Sequence, residues 1–344
     1  MLIIFDMDGV LIDVSESYRE VTRLSVVRYL QDIIGVRIRD DGFITRSDVA
    51  EIKRSGRLNN DWDLTNAIIN TYLGVLFDPY NRHLIHAAKE IPAQGRDSEI
   101  LYLIHDLLKD AERSTIEKAL EEVSVKEIWF DFMNKQEGAL NKGYVSPFLF
   151  GQGDVGRGNL SKRIFQELYL GRELFTEIYR EKPVFYEGDG YIEKEGLIPS
   201  YTQLKLLGSL YNLSIATGRP GVEAEHALRR FGIEGIFSAL VTEDDVVKAE
   251  RSAGETLRKP HPFTIELCIE RSGYRGGGSV YYIGDMPDDM VASRRAGVIP
   301  VGFVNEKTSS EDERKRHRDI LIERGALRVF GNYEELVSWF MEEQ

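Results

Sequence analysis

The sequence predicts an α/β fold: a doubly wound parallel sheet interrupted by a large inserted α-helical domain. Short apolar runs bounded by turn residues lie near residues 2–5, 213–216, 237–241, 279–283, 299–303 and 327–330. Amphipathic segments separate the later runs, and strands that alternate with helices are typical of a parallel sheet covered on both faces. The long stretch between the first two runs shows helical periodicity instead. The pattern therefore predicts a Rossmann-like sheet domain with a second, helical domain.

The first run, Leu2-Ile3-Ile4-Phe5, stops at Asp6-Met7-Asp8-Gly9 and predicts a buried strand that ends in two acids. Open α/β sheets bind ligands at the carboxyl ends of their strands, so this pair of carboxylates indicates a site. Gly9 predicts that the backbone turns here. A strand that simply ends in acidic turn residues gives the same pattern, so the later segments have to decide.

Three later segments carry polar groups at strand ends or before a helix. They are Thr217-Gly218-Arg219-Pro220 after Leu213–Ala216, Lys259-Pro260-His261-Pro262 before the helical segment Phe263–Arg271, and Gly284-Asp285-Met286-Pro287-Asp288-Asp289 after Val280–Ile283. Each segment alone is common in structural turns. Their occurrence in this order favours a site at one edge of the sheet.

These residues resemble the four motifs of the haloacid dehalogenase-like hydrolase superfamily, in its phosphatase branch. The matching residues are Asp6-Met7-Asp8-Gly9-Val10, then Thr217, then Lys259, and finally Gly284-Asp285 with Asp289. The resemblance covers residues 1–14 and about 199–305 well, and the middle of the chain poorly. It implies a Rossmann-like catalytic domain with an inserted cap.

The resemblance implies that Asp6 is the nucleophile that forms an aspartyl-phosphate, and that Asp8 is the general acid and then the base. It also implies that Asp6, Asp285 and the backbone carbonyl of Asp8 hold Mg²⁺, which prefers oxygen ligands. Asp8 has a further implication, because the dehalogenase branch lacks a second acid at this position. The chain is therefore expected to transfer phosphate from an oxygen.

The remaining motif residues are expected to bind the phosphoryl group or to orient other groups. Thr217 and the amide of Gly218 would bind phosphoryl oxygens, while Lys259 would neutralise developing charge. Arg219 would attract the phosphate locally. Asp289 would orient Lys259 or a metal-bound water rather than bind the metal, and Asp288 ranks below it for the same task.

The expected function is a Mg²⁺-dependent phosphomonoester hydrolase for a small phosphorylated metabolite, with a sugar or polyol phosphate as the leading class. Two alternatives stay open. A phosphomutase or phosphotransferase would retain all four motifs but would need an acid or base from the cap. A non-enzymatic binding protein would tolerate the loss of a motif residue, and none is lost.

The composition agrees with a soluble enzyme and adds little to the motifs. The 344 residues are 42% hydrophobic and carry a formal net charge of −13, which argues against a nucleic-acid partner. No apolar run approaches the ~20 residues that span a bilayer, and the strand pattern begins at residue 2, so we expect no signal peptide, no membrane partner and a cytoplasmic location. The single cysteine, Cys268, is expected to be a buried, inert thiol. The sequence does not indicate an oligomeric state.

The predicted domains are a catalytic domain of residues 1–14 and 199–344 and an α-helical cap of residues 15–198. Helical stripes run over Val14–Leu30, Leu64–Leu76 and Ile116–Phe132. A cap in this position is usually a smaller helical bundle in the superfamily, so this one departs by its size. It is expected to close over a small phosphomonoester.

Within the cap, the segment from Lys53 to Trp62 is the preferred candidate for substrate recognition. Lys53, Arg57, Asn60 and Trp62 would contact an anionic, hydroxyl-rich substrate, whereas the alternative is a solvated loop in which Asn60 and Trp62 only cap and staple the next helix. The Gly-rich run at 151–156 formally matches a dinucleotide fingerprint. Because a βαβ unit is missing, a flexible cap loop is the expected structure.

Overall fold

The computed structural model describes residues 1–38, 43–54, 61–77, 97–107, 117, 154–307 and 310–342. The chain forms two compact units. The first consists of Met1–Ser15 and Glu195–Gln344, and the second of Glu16–Lys194. These limits lie close to the predicted ones, which assign residues 15–198 to the inserted domain.

The first unit is built on a six-stranded parallel sheet and a short antiparallel ribbon. Its strands in chain order are β1 (Leu2–Phe5), β2 (Ile12–Asp13), β3 (Gly196–Leu197), β4 (Asn212–Ala216), β5 (Leu240–Val241), β6 (Val280–Gly284), β7 (Ile299–Phe303) and β8 (Arg328–Phe330). The sheet order is β5-β4-β1-β6-β7-β8, and β2 pairs with β3. The chain therefore builds outward from β1 in both directions, which makes the end of β1 the topological switch point where such sheets bind ligands.

Both faces of the sheet are buried, as the continuous apolar runs predict. Ile3 and Phe5 belong to one core cluster, and Leu2 and Ile4 belong to the cluster on the opposite face. All four side chains are fully buried. The predicted fold class, a Rossmann-like parallel sheet flanked by helices, is confirmed.

Twelve helices are numbered along the described parts of the chain. Those of the second unit are α1 (Tyr18–Arg28), α2 (Arg46–Arg54), α3 (Asp61–Phe77), α4 (Asp97–Leu107) and α5 (Leu160–Tyr179). Those of the first unit are α6 (Tyr201–Leu210), α7 (Gly221–Arg230), α8 (Glu243–Ala253), α9 (Phe263–Arg271), α10 (Pro287–Arg295), α11 (Glu311–Glu323) and α12 (Tyr333–Glu342). A π-helix at Tyr29–Ile34 continues α1, and 3₁₀ turns lie at Tyr191–Lys194 and Glu234–Ile236.

The predicted helices agree with these bounds to different degrees. The bounds of α9 match the prediction, and the helical stripe Leu64–Leu76 lies within α3. Helix α5 contains a break at Gly171, where φ is 70°. Apart from Glu117, the stripe Ile116–Phe132 lies outside the described residues. In the described parts of the chain, no helix is both long and apolar enough to cross a membrane.

A buried arginine organises part of the second unit. The Arg163 guanidinium donates to Asp97 at 2.8 Å, to Glu181 at 2.7 Å and to Glu167 at 2.8 Å. Asp97 also accepts hydrogen bonds from the backbone N–H groups of Gly156 (3.1 Å) and Gly158 (2.6 Å). The described end of the glycine-rich run is therefore held by a carboxylate of the chain itself. The expectation of a flexible loop stays a prediction.

Candidate active site

Asp6 lies directly after the central strand, where its backbone is still part of the sheet. Its N–H donates to the carbonyl of Ile283 at 2.8 Å, and the residue is 8% exposed. The chain then turns at Gly9, whose φ is 75°, a conformation that favours glycine. A Cβ atom at Gly9 would lie 2.4 Å from Oδ2 of Asp285. Glycine therefore permits both the turn and the close approach of Asp285.

Three carboxylates meet at this edge of the sheet. Asp6, Asp285 and Asp289 each offer an oxygen, and these atoms lie within 4.8 Å of one another. Asp285 follows β6, and Asp289 lies in the first turn of α10 with 1% exposure. Hard oxygen donors in such a cluster are suited to a divalent cation such as Mg²⁺.

Lys259 supplies the positive charge of the cluster. Its Nζ lies 3.2 Å from Oδ1 of Asp6 and 2.9 Å from Oδ1 of Asp289. The other carboxylate oxygen of Asp289 accepts from the N–H of Met286 at 2.9 Å. Both Asp289 oxygens therefore have donors within the chain, and Asp289 holds Lys259 beside Asp6.

The electrostatics follow from burial and from these contacts. Burial raises the pKa of the Asp6 carboxyl to about 7. The Lys259 ammonium group opposes this shift, whereas repulsion from Asp289 and Asp8 adds to it. Burial alone would lower the pKa of Lys259, but the carboxylates of Asp289 and Asp6 outweigh it and raise that pKa above its usual value. Lys259 is therefore a cation at neutral pH.

Tyr282 is a member of this cluster that the sequence analysis missed. Its hydroxyl is hydrogen-bonded to Nζ of Lys259 and donates to the carbonyl of Ala216 at 3.1 Å. Burial raises its pKa well above the usual value, so the hydroxyl stays neutral. The only sequence signal was a polar-tipped aromatic residue inside an apolar strand pattern.

The end of β4 contributes the hydroxyl side of the site. Thr217 is 1% exposed, its N–H donates to the carbonyl of Val241 at 3.0 Å, and its Oγ1 accepts from the N–H of Arg219 at 3.1 Å. Gly218 is exposed, with open space where a Cβ atom would lie. The turn therefore exposes the backbone at Gly218 while it fixes its two neighbours.

The Arg219 guanidinium contacts two acids of the chain itself. Nη1 donates to Oε2 of Glu195 at 2.9 Å, and Nη2 donates to Oε1 of Glu195 at 3.2 Å and to Oδ1 of Asp8. The side chains of Arg219 and Glu195 are fully buried, whereas that of Asp8 is 31% exposed. Glu195 is the second residue that sequence reasoning missed, because the run Glu193-Lys194-Glu195 has the pattern of a solvated turn.

The remaining candidates have other surroundings. Asp288 is the partly buried second residue of α10. Lys53 lies in α2 and contacts both carboxylate oxygens of Asp61 at 2.9 Å, while Trp62 lies in α3 with Nζ of Lys162 at 4.1 Å from its ring centroid. Both ends of the expected loop are thus helical, and their side chains have partners within the second unit.

Arg57 and Asn60, the other two members of that candidate segment, lie outside the described residues. A role for the Lys53–Trp62 segment in substrate recognition stays a prediction.

Comparison with known families decides the affiliation of the chain. The family model described as haloacid dehalogenase-like hydrolase matches residues 1–297. The chain belongs to this family. The recognition of the haloacid dehalogenase-like superfamily from four short motifs is therefore confirmed.

Individual relatives of this haloacid dehalogenase-like hydrolase are distant. A phosphoglycolate phosphatase of Haemophilus influenzae is 27% identical over 123 residues, which are 35% of this chain and 50% of the relative. An imidazoleglycerol-phosphate dehydratase of Phytophthora nicotianae is 22% identical over 307 residues, which are 89% of this chain and 44% of the relative. The chain thus spans about half the length of the curated relatives that it matches.

Among solved structures, a Northeast Structural Genomics Consortium target is similar to this chain at 22% sequence identity and a TM-score of 0.64. The match covers 99% of this chain and 98% of the target. At this identity the similarity shows a shared fold.

Proposed function

We propose that this chain is a Mg²⁺-dependent phosphomonoester hydrolase that acts on a small phosphorylated metabolite through an aspartyl-phosphate. The observation that carries the proposal is the position of Asp6 at the switch point of the sheet, with Lys259 at 3.2 Å and a carboxylate oxygen of Asp285 within 4.8 Å. Membership in the haloacid dehalogenase-like hydrolases supports the same chemistry.

The carboxylate cluster fits Mg²⁺. Asp6 and Asp285, with the backbone carbonyl of Asp8, would hold the ion, whereas both oxygens of Asp289 already accept hydrogen bonds from Lys259 and from the N–H of Met286. When bound, Mg²⁺ would reduce the repulsion between the Asp6 carboxylate and a phosphate dianion.

The chain's own residues supply the two half-reactions. A carboxylate oxygen of Asp6 attacks phosphorus, the bond from phosphorus to the ester oxygen breaks, and Asp8 donates a proton to the departing alkoxide. Asp8 then takes a proton from water, the resulting oxygen attacks phosphorus, and Asp6 is released together with phosphate. Thr217 and Lys259 would hold the phosphoryl oxygens during both steps.

For the substrate, we propose a chemical class and no single compound. The four motifs act only on the phosphoryl group, so discrimination has to come from groups that contact the rest of the substrate. A sugar or polyol phosphate suits the cations and amides of the segment that includes Lys53, Arg57, Asn60 and Trp62. Phosphoglycolate belongs on the same test panel because of the named relative.

The test is phosphate release from a broad panel of phosphorylated metabolites, with Mg²⁺ and with EDTA. We expect turnover with Mg²⁺, its loss in EDTA, and its loss in Asp6→Asn, which keeps the size of the side chain but removes the nucleophile. The matched control is Asp312→Asn, an exposed acid in the first turn of α11.

Near-wild-type turnover by Asp6→Asn, or an enzyme that acts on no phosphomonoester, contradicts the proposal. Transfer of the phosphate to another hydroxyl of a sugar, rather than to water, would identify a mutase instead.

A further inference from the structure

We propose that Arg219 is a positioning residue that aims the Asp8 carboxyl for its proton transfers, and that Glu195 holds Arg219 in place. This inference rests on the proposed phosphatase function, in which Asp8 is the acid and base. It gives Arg219 a role other than the direct attraction of phosphate that the sequence suggested.

The guanidinium is fixed independently of Asp8. Both Nη atoms of Arg219 donate to Glu195, at 2.9 and 3.2 Å, and such a two-bonded contact fixes the plane of the guanidinium as well as its position. The backbone of Arg219 is held too, because its N–H donates to Thr217 at 3.1 Å and its carbonyl accepts from the N–H of Glu243 at 3.0 Å. The second N–H bond of Nη2 therefore has a fixed direction, and it points at the carboxylate of Asp8.

The three side chains of this network differ in how far they are exposed to solvent. The side chains of Arg219 and Glu195 are fully buried, and only Asp8, at 31%, reaches the open side. The contact with Arg219 uses Oδ1 of Asp8. Oδ2 is therefore the oxygen that would exchange protons with the leaving group and with water.

Glu195 supplies a buried counter-charge for the guanidinium, because both Nη atoms of Arg219 contact its carboxylate. Asp8 is therefore the second carboxylate on an arginine that Glu195 already holds, and Arg219 keeps its position beside Asp8 through its contact with Glu195.

Leaving-group chemistry tests the proposal. 2,4-Dinitrophenolate departs without a proton, whereas the alkoxide of an alkyl phosphate needs one. We expect Arg219→Met to lower kcat for the alkyl phosphate that the wild type hydrolyses best by roughly 100-fold, the lower end of general acid-base contributions. In stopped flow with 2,4-dinitrophenyl phosphate, the first turnover should remain within about twofold of wild type, followed by slow turnovers because water activation also needs Asp8.

A second variant guards against misfolding, because Arg219→Met leaves the Glu195 charge buried without its partner. Arg219→Met/Glu195→Gln removes both charges and should show the same split between the two substrates. In an Asp8→Asn background, Arg219→Met should change kcat by less than about twofold, because residues that act through one group are not additive. The matched control is Arg271→Met, an arginine that pairs with Asp245 at 2.8 Å and should leave both substrates unaffected.

A first turnover of 2,4-dinitrophenyl phosphate that is slowed as much as kcat for the alkyl phosphate, or full additivity with Asp8→Asn, overturns the proposal. A raised KM with unchanged kcat also overturns it and identifies Arg219 as a substrate ligand. A wild-type enzyme inactive on every phosphomonoester refutes the proposed function itself, which is a different result from any of these.

Discussion

Replacing Lys259 with methionine should destabilise the first unit, because two buried carboxylates depend on its ammonium group. Nζ lies 3.2 Å from Asp6 and 2.9 Å from Asp289, and the three side chains are 14%, 12% and 1% exposed. Breaking a buried ion pair by removing one partner costs about 3–5 kcal/mol. Because Lys259 and Asp6 keep slight solvent contact, we expect a loss of about 3 kcal/mol, at the lower end of that range.

A second substitution separates lost attraction from lost packing. In Lys259→Met/Asp289→Asn, the most deeply buried carboxylate that lost its cation is replaced by a neutral amide, so about 1–2 kcal/mol of the free energy of unfolding should return relative to Lys259→Met. Methionine preserves most of the lysine stem, so packing changes little in either variant.

The assay is urea unfolding in EDTA, followed by circular dichroism. Because the chain has two units and need not unfold in one step, exposure of the Cys268 thiol serves as the probe of the first unit. Lys205→Met, on the exposed side of α6, is the control and should change stability by no more than about 0.5 kcal/mol. A loss below about 1 kcal/mol for Lys259→Met, or a double variant less stable than the single one, would refute the electrostatic account.

Three other predictions address the metal, the thiol and the cap. Gly9→Ala places a Cβ atom 2.4 Å from Oδ2 of Asp285, so we expect the Kd for Mg²⁺, measured by calorimetry, to rise roughly tenfold. An unchanged Kd would show that Asp285 can shift without loss of its contact with the ion. Cys268 is fully buried, and burial raises its pKa to about 12, so thiol reagents should label it only after unfolding; rapid labelling of the native protein would contradict this. Arg57→Ala and Trp62→Ala should each lower kcat/KM for the native substrate by roughly ten- to hundredfold, on the order of 1–3 kcal/mol, and hardly affect p-nitrophenyl phosphate. Equal losses on both substrates would assign the segment to folding or closure of the cap.

The sheet and the core of the site were predictable because their signals are local. The run before Asp6 and the run before Asp285 each end in turn residues, and the carboxyl ends of parallel strands meet at one edge of a sheet. The prediction that these two acids lie together therefore needed only the strand assignments. The prediction of a helix over Phe263–Arg271 needed only the helical period of its apolar residues.

The missed residues depend on contacts between distant parts of the chain. Glu195 and Arg219 are 24 residues apart in sequence, and no periodicity links a charged turn to an arginine that follows a strand. The hydroxyl of Tyr282 likewise gains its role only when Lys259 lies against it. In the second unit, the ion pair of Lys53 with Asp61 connects the end of α2 to the start of α3. The sequence analysis placed both residues in a single candidate segment.

The position of β1 in the sheet has a consequence for folding during synthesis. Leu2–Phe5 pairs with residues 212–215 on one side and with 280–283 on the other, so β1 leaves the ribosome long before either of its partners. At about 5–20 residues per second, the chain needs roughly 10–40 s to reach β4, and by then the whole of Glu16–Lys194 has been made. Until then the apolar strand that precedes Asp6 has no neighbour in the sheet, and its backbone N–H and C=O groups lack the partners that β4 and β6 later supply.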